Sequence, residues 1–464
     1  MKRLITAATG LALLALPLFL PLDGLSAAGR ITCGLFLFAA VYWMFAPIPI
    51  YATSVVVILL QLALLSNASP LVEFLGFPYA SVDAPSADKF TGTLAHPILI
   101  LFLGGFMLAA GAQKYHLEKN LVRVFLSPCK SPQLLLIGVL GVCALLSAFM
   151  SNTATTAMMF AVLIPVLGAL ELDDPLRVSL ALAVPIGANI GGIITPIGTP
   201  PNAVALGALA EQGIRVSFAS WMVIGAPLAL VSLVFVTVVL LKMFPPKAKT
   251  IELKMTGRFD LSAKAVLLYV VAGLTIVLWA TESVHEIPSS VVAFLPIALL
   301  PALGIIGTNE IRGISWEVLW LVAGGISLGY SLKDSGLATW MISLVNWTSL
   351  GNTGVIFGFL VLSVLMANFL SHTVTTSLLV PIAISLGTSG VLAGPGSLAV
   401  IAIGIAIASS YGMSLPISTP PNAIAIASGA VDTPQMAKVG VVMAIFGLVV
   451  IGGLAIFLWP LLLK

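Results

Sequence analysis

The side chains best placed to do chemistry in this chain are uncharged oxygen and nitrogen carriers, and they come in two sets. The first reads Ser151-Asn152-Thr153-Ala154-Thr155-Thr156, followed by Thr195-Pro196-Ile197-Gly198-Thr199-Pro200-Pro201-Asn202. The second reads Ser371-His372-Thr373-Val374-Thr375-Thr376, followed by Leu415-Pro416-Ile417-Ser418-Thr419-Pro420-Pro421-Asn422. Ser371 stands 220 positions after Ser151, and Pro420 stands 220 after Pro200. Gly104-Gly105 returns at the same spacing as Gly324-Gly325. Three landmarks at one spacing mark an internal duplication. Hydroxyls and amides in such clusters can replace the hydration shell of an ion. Backbone groups freed at helix ends add to them: N-terminal N–H groups suit an anion, and unwound carbonyls suit sodium. An isolated Ser or Thr in a membrane helix ordinarily satisfies a backbone carbonyl. A cluster repeated beside a Thr-Pro-Pro-Asn break is poorly explained that way.

What is missing narrows the chemistry. The 17 acidic residues all fall in loops or near the ends of apolar runs. A carboxylate in mid-membrane is the usual mark of a proton relay or cation pathway. Without one, a neutral, donor-rich pocket suits a small carboxylate anion whose charge is offset by co-bound cations. The histidines (His96, His116, His285, His372) are scattered, and Cys33, Cys129 and Cys143 show neither metal spacing nor a disulfide framework. Ser371 and His372 are neighbours, and adjacent helical positions do not face each other, so they form no nucleophile–base pair. The chain is therefore not expected to be an enzyme, and no nucleic-acid partner is expected.

The elements that position these residues lie in a membrane. Of 464 residues, 59% are hydrophobic and 8% charged, against about 25% charged in soluble domains. Apolar runs long enough to span lie near 4–22, 31–47, 50–66, 96–113, 219–243, 265–282, 290–307, 316–333 and 438–462. Met1-Lys2-Arg3 and the first run have the shape of a signal peptide, with cleavage near Ala27-Ala28. An uncleaved first helix is expected in a chain with so many later spans. The runs 133–170 and 350–388 are interrupted at their middles by the Ser-led tips. Each half is short for a full crossing at about 1.5 Å per residue, so two re-entrant hairpins are expected. The runs 176–209 and 395–428 contain the Thr-Pro-Pro-Asn sequences. Pro-Pro cannot continue a helix, so both runs are expected to break at mid-membrane.

This reading gives an all-α polytopic membrane protein in four stretches. Residues 1–95 form N-terminal scaffold helices and 96–243 a first repeat. Residues 244–315 form a basic loop (Lys247, Lys249, Lys254, Arg258, Lys264) with further scaffold helices, and 316–464 a second repeat. With the N-terminus in the cytoplasm and about eleven full spans, most Lys and Arg fall on the cytoplasmic side and the C-terminus lies outside, probing the positive-inside rule successfully. An odd number of crossings separates Gly104-Gly105 from Gly324-Gly325, so the two copies run in opposite directions. Inverted repeats of this kind characterise secondary transporters, with the site at the repeat interface and built from discontinuous helices. A pocket closed at mid-membrane argues against a channel.

Ser-Asn-Thr on a hairpin tip, Thr-Pro-Pro-Asn in a broken helix, and an inverted copy of both resemble the divalent anion/sodium symporter family, whose INDY-type members carry di- and tricarboxylates. The resemblance runs from roughly residue 30 to 462. It implies an eleven-helix protomer with a scaffold domain and a transport domain that moves as an elevator, usually in a homodimer in the cell's inner (plasma) membrane. It further implies C4-dicarboxylate uptake coupled to sodium, with exchange, or citrate or sulfate as substrate, as the alternatives. Substrate contacts would come from Asn152, Thr153, His372 and Thr373, with the Thr199-Pro200 and Thr419-Pro420 bends closing the pocket. Sodium would be held by Ser147, Ser151, Asn152 and Gly198, and a second ion by Ser371, His372 and Ser418. One position departs from the pattern: the second tip carries His372 where many members carry Asn. Three roles are open to it: a neutral donor to a carboxylate, a titrating positive charge, or a neutral side chain filling the Asn position.

Overall fold

Helices in this chain begin where Ser, Asp or Pro resolves the unpaired N–H groups of a first turn. Ser131 accepts from the Leu134 N–H ahead of Pro132–Ser147, and Ser217 accepts from Ser220 ahead of Phe218–Met243. Ser262 does the same for Ala263–Ala280, and Asp432 forms a capping box with Gln435 at Thr433–Phe457. The computed structural model describes residues 2–68, 85–251, 258–344, 347, 350–392 and 396–463. Lys254 of the basic loop, the start of the 395–428 run and most of the polar stretch between the third and fourth runs lie outside them. Every regular element among the described residues is helical.

Most of the expected spans appear with shifts of a few residues: Lys2–Phe19, Ala27–Phe45, Ile50–Leu64, Pro97–Lys114, Phe218–Met243, Ala263–Ala280, Trp316–Asp334 and Thr433–Phe457. The run expected at 290–307 stops earlier, as Ser289–Val292 and Phe294–Ala302. Pro301 weakens its last turn, and Gly304 at φ 62° turns the chain away. Among the described residues, seven helices are long and apolar enough to cross a membrane. Two of the seven are hairpin legs, Asn152–Ala169 and Gly351–Phe369, about as long as the halves expected for them.

Both interrupted runs are hairpins. Pro132–Ser147 and Asn152–Ala169 meet at Ser151, and Gly351–Phe369 and His372–Thr388 meet at Ser371. Ser151 and Ser371 are extended and cap the second leg, accepting from Ala154 and Val374 N–H. Both Pro-Pro runs are broken: Leu176–Gly192 resumes as Pro200–Ala210, and Ser397–Ser409 resumes as Pro420–Ala427. Among the short helices that were not anticipated are Leu117–Leu126 and Leu337–Ser343. They start 220 positions apart, and each is entered through a left-handed residue, His116 at φ 53° and Gly336 at φ 73°.

The two copies interlock. The first hairpin packs along Leu176–Gly192, but the far side of that break, Pro200–Ala210, packs on His372–Thr388 and Ser397–Ser409 of the second copy. In return Pro420–Ala427 packs on Asn152–Ala169 and Leu176–Gly192. Around this centre, Ile50–Leu64 lies on Trp316–Asp334, and Pro97–Lys114 lies against Ser289–Ala302. The paired glycines sit at the seam between the two layers. A Cβ on Gly104 would meet Ala293 Cβ at 2.7 Å, and one on Gly324 would strike Ser54, both neighbours in the outer layer. A Cβ on Gly105 would meet Ile197 Cδ1 at 2.8 Å, and one on Gly325 would meet Ser377 Oγ at 2.8 Å, both in the interlocked centre.

Candidate functional site

The Asn of each Thr-Pro-Pro-Asn sequence holds its break open. With the helix unwound between Gly192 and Pro200, local carbonyls lose their helical partners. Asn202 Nδ2 donates to the carbonyls of Gly192 at 2.9 Å and Thr195 at 2.8 Å. Asn422 Nδ2 repeats the arrangement with Met413 at 2.9 Å and Leu415 at 3.0 Å. These amides are structural staples. Gly198 lies against the other strand of the same bend, since a Cβ there would meet the Gly192 carbonyl oxygen at 2.6 Å.

The two tips and the two breaks converge on one cavity of about 260 Å³. Its lining includes Ser151, Asn152, Thr153, Gly198, Thr199, Pro200, Ser371, His372, Thr373, Ser418, Thr419 and Pro420. Thus every expected substrate contact lies on this cavity. Of the expected sodium ligands, Ser147 stands behind the lining, buried, with its hydroxyl donating to Asn152 Oδ1. Four helix N-termini point here, those of Asn152–Ala169, Pro200–Ala210, His372–Thr388 and Pro420–Ala427. They are not equivalent. Each tip helix presents first-turn N–H groups, whereas Pro-Pro removes two such donors from each break helix. The tips therefore bring donors, and the breaks bring a dipole and an apolar wall. Among the described residues, no Lys or Arg lines the cavity.

The breaks differ at their Thr. Thr419 Oγ1 accepts from Asn422 N–H at 3.3 Å, while Thr199 makes no such cap bond and keeps its hydroxyl for the cavity. The tips differ more. Asn152 Nδ2 reaches Asn189 Oδ1 at 3.5 Å, and Asn152 lies so close to Gly192 that a Cβ there would meet its Oδ1 at 3.0 Å. His372 occupies the corresponding place, and its Nε2–H donates to the Gly412 carbonyl at 3.0 Å. The imidazole fills the Asn position and does the work of an amide N–H. Ser418, by contrast with Gly198, has a hydroxyl already engaged, donating to Leu415 O at 2.7 Å and accepting from Asn422 Nδ2 at 3.1 Å. The first tip and break keep more uncommitted oxygen for a cation than the second pair.

Two polar lining residues escaped the sequence reading. Asn189 is fully buried, and its Nδ2 has no hydrogen-bond partner in the structure. A buried donor left unmade costs about 1–3 kcal/mol, which an acceptor in the cavity would recover. A lone amide ten positions before Thr199, in the apolar stretch 180–192, was the available signal. Glu317, in the first turn of Trp316–Asp334, adds a carboxylate to the lining. It sits at a span end, where an acidic residue has no distinctive sequence context.

The family described as the sodium:sulfate symporter transmembrane region matches residues 1–464. The sodium-dependent dicarboxylate transporter SdcS of Staphylococcus saprophyticus is 29% identical, over 96% of this chain and 89% of its own. The inorganic phosphate transporter PHO87 of Saccharomyces cerevisiae is 28% identical over 74% of this chain, a region amounting to 37% of the yeast protein. Among solved structures, the YdaH transporter of Alcanivorax borkumensis aligns over 89% of this chain and 98% of its own with TM-score 0.56 and 14% identity, a likeness of fold alone. With that match running from end to end over a helical, membrane-type fold, the chain belongs to the divalent anion/sodium symporter family of membrane transporters.

Proposed function

We propose that the protein takes up C4-dicarboxylates such as succinate, malate or fumarate, coupled to sodium. The observation that carries this is the convergence of two donor-bearing tips and two break helices on one cavity without Lys or Arg. Donors from opposite tips match a substrate with a carboxylate at each end. Thr153 and Thr373 offer side-chain hydroxyls and first-turn N–H groups, and Asn152 and the free Nδ2 of Asn189 offer amides. Lacking a cationic side chain, the pocket needs co-bound cations to offset two negative charges. Ser147, Ser151, Asn152 and Gly198 group the oxygens for one sodium; Ser371, His372 and Ser418 form the weaker second set. The name of the Staphylococcus relative supports both substrate and ion.

The transport cycle in this reading is an elevator. The four-stretch layout supplies an outer scaffold and an interlocked centre, the two copies run in opposite directions across about eleven spans, and the protomer pairs as a homodimer. The charge bias supports an N-terminus in the cytoplasm and a C-terminus outside the plasma membrane. Glu317 and Ile50, at cytoplasmic helix ends in this topology, line the cavity, which supports an inward-facing conformation in this reading.

The test is uptake of radiolabelled succinate into proteoliposomes with and without an inward sodium gradient, competed by citrate, sulfate and phosphate. Sodium-driven uptake without internal counter-substrate is expected, and Asn152→Ala or Thr153→Ala should lower it at least about tenfold, the size of one or two lost hydrogen bonds. Full uptake by both variants would overturn the site. Uptake that required internal dicarboxylate would favour exchange. The phosphate-transporting relative supports inorganic anions as the second reading, and competition by phosphate stronger than by citrate would favour it.

A further inference from the structure

A second cavity, of about 240 Å³, lies beside the first and differs from it in chemistry. Its walls come from Pro97–Lys114 (Leu108, Ala109), the short helix Leu117–Leu126 (Glu118, Leu121), the first hairpin (Leu145, Phe149, Met150) and Ala263–Ala280 (Ile276). Ile197, in the first break, lines both cavities and is the partition between them. Every lining side chain is apolar except Glu118. Glu118 is only 5% exposed, and its Oε2 has no hydrogen-bond partner in the structure.

A carboxylate oxygen in an apolar cleft needs a donor. Water is a poor candidate, because a buried water needs two to four polar partners and the lining offers a single polar side chain. A hydrocarbon chain would fill the volume and leave the oxygen unpaired, at a cost of about 1–3 kcal/mol or more for a charged group. An occupant that satisfies both demands carries a protonated amine on an apolar body. Burial holds the Glu118 carboxyl above the usual range, against the opposing effects of its own backbone N–H, His116 and Lys119, and a cation brought by an occupant would stabilise its charged form. The repeat does not impose the residue, since Ala338 stands at the corresponding position of the second copy.

We propose that this cleft is a binding site for a lipophilic amine, with the ammonium on Glu118 and the apolar body against Leu121, Leu145, Phe149 and Ile276. Such a ligand bridges the scaffold helices and the hairpin that ends at Ser151, so it clamps the first tip. The clamp rests on the transport reading given above; the site does not.

Saturable binding of radiolabelled octylamine to the purified protein in phosphatidylcholine nanodiscs tests the site, with octanol and octanoate as comparators. Octylamine should bind at least about tenfold more tightly than either, the value of one charge-assisted hydrogen bond. Glu118→Gln and the cavity-filling Ala109→Leu should each weaken it by a similar factor, in protein whose thermal unfolding matches the wild type. Equal binding to wild type and both variants, or equal binding of octylamine and octanol, would overturn the proposal. Octylamine should also lower the maximal rate of succinate uptake without raising the KM, and this effect should vanish in Glu118→Gln. Binding with unaltered uptake would overturn the clamp. Wild-type protein that bound octylamine but took up no succinate would instead count against the transport reading.

Discussion

An imidazole whose Nε2–H is given to a backbone carbonyl does not have that proton to lend to a substrate. His372 is in this position toward Gly412, and of the three roles open to it in the sequence, the geometry supports the neutral substitute for Asn. Uptake by His372→Asn should therefore follow the wild-type pH profile between about 5.5 and 7.5, the range around an ordinary histidine pKa. His372→Leu should unfold at lower temperature, because the Gly412 carbonyl is then buried unpaired at a cost of about 1–3 kcal/mol. A profile displaced in His372→Asn would restore a titrating role. At this scale the sequence was informative where residue type and repetition coincided: the Ser-led tips and Thr199 line one cavity. It was silent on partners. Asn202 and Asn422 carry the same amide as Asn152 but spend it on the bend, and only the three-dimensional path of the break distinguishes them.

Among the elements, Pro-Pro and the polar tips announced the breaks and hairpins because each violates helix chemistry locally. Leu117–Leu126 and Leu337–Ser343 went unread because they are too short and too mixed in polarity to resemble spans. The glycine pairs were legible as landmarks, though their division of labour was not. A Cβ on Gly104 meets the Ala293 backbone oxygen at 3.0 Å, whereas one on Gly105 meets only the flexible end of Ile197. Gly104→Ala should thus lose about 1–3 kcal/mol of stability through overpacking, read as a lower unfolding temperature. Gly105→Ala should fold with near-normal stability and slow initial uptake, because it roughens the seam between outer layer and centre. Equal unfolding temperatures for the two variants would contradict this division.

Across the whole molecule, one end is tied by polar contacts. His96 Nδ1 accepts from the Ile98 N–H at 3.3 Å, which leaves the proton on Nε2 to donate to Glu211 at 3.3 Å. Tyr330 Oη donates to the same carboxylate at 2.6 Å, and Lys333 reaches Gln212 at 3.2 Å. Glu211 and Gln212 follow the first break helix, while His96 and Tyr330 belong to the outer layer. Glu211 is about one-third exposed, so the tie is worth only about 1 kcal/mol after screening by solvent. Glu211→Gln should speed amide hydrogen exchange across 200–217 and leave 132–147 unchanged; identical exchange in that first segment would show that the contact restrains nothing. The interlocking of the two copies has a consequence for how the chain is made. When synthesis reaches the basic loop after Phe218–Met243, the face of Pro200–Ala210 that packs on His372–Thr388 and Ser397–Ser409 is still uncovered, for those helices do not yet exist. The first half is inserted as an unfinished object. Its completion waits on contacts nearly two hundred residues downstream, a long-range closure of the kind that folds slowly, and the two halves mature together or not at all.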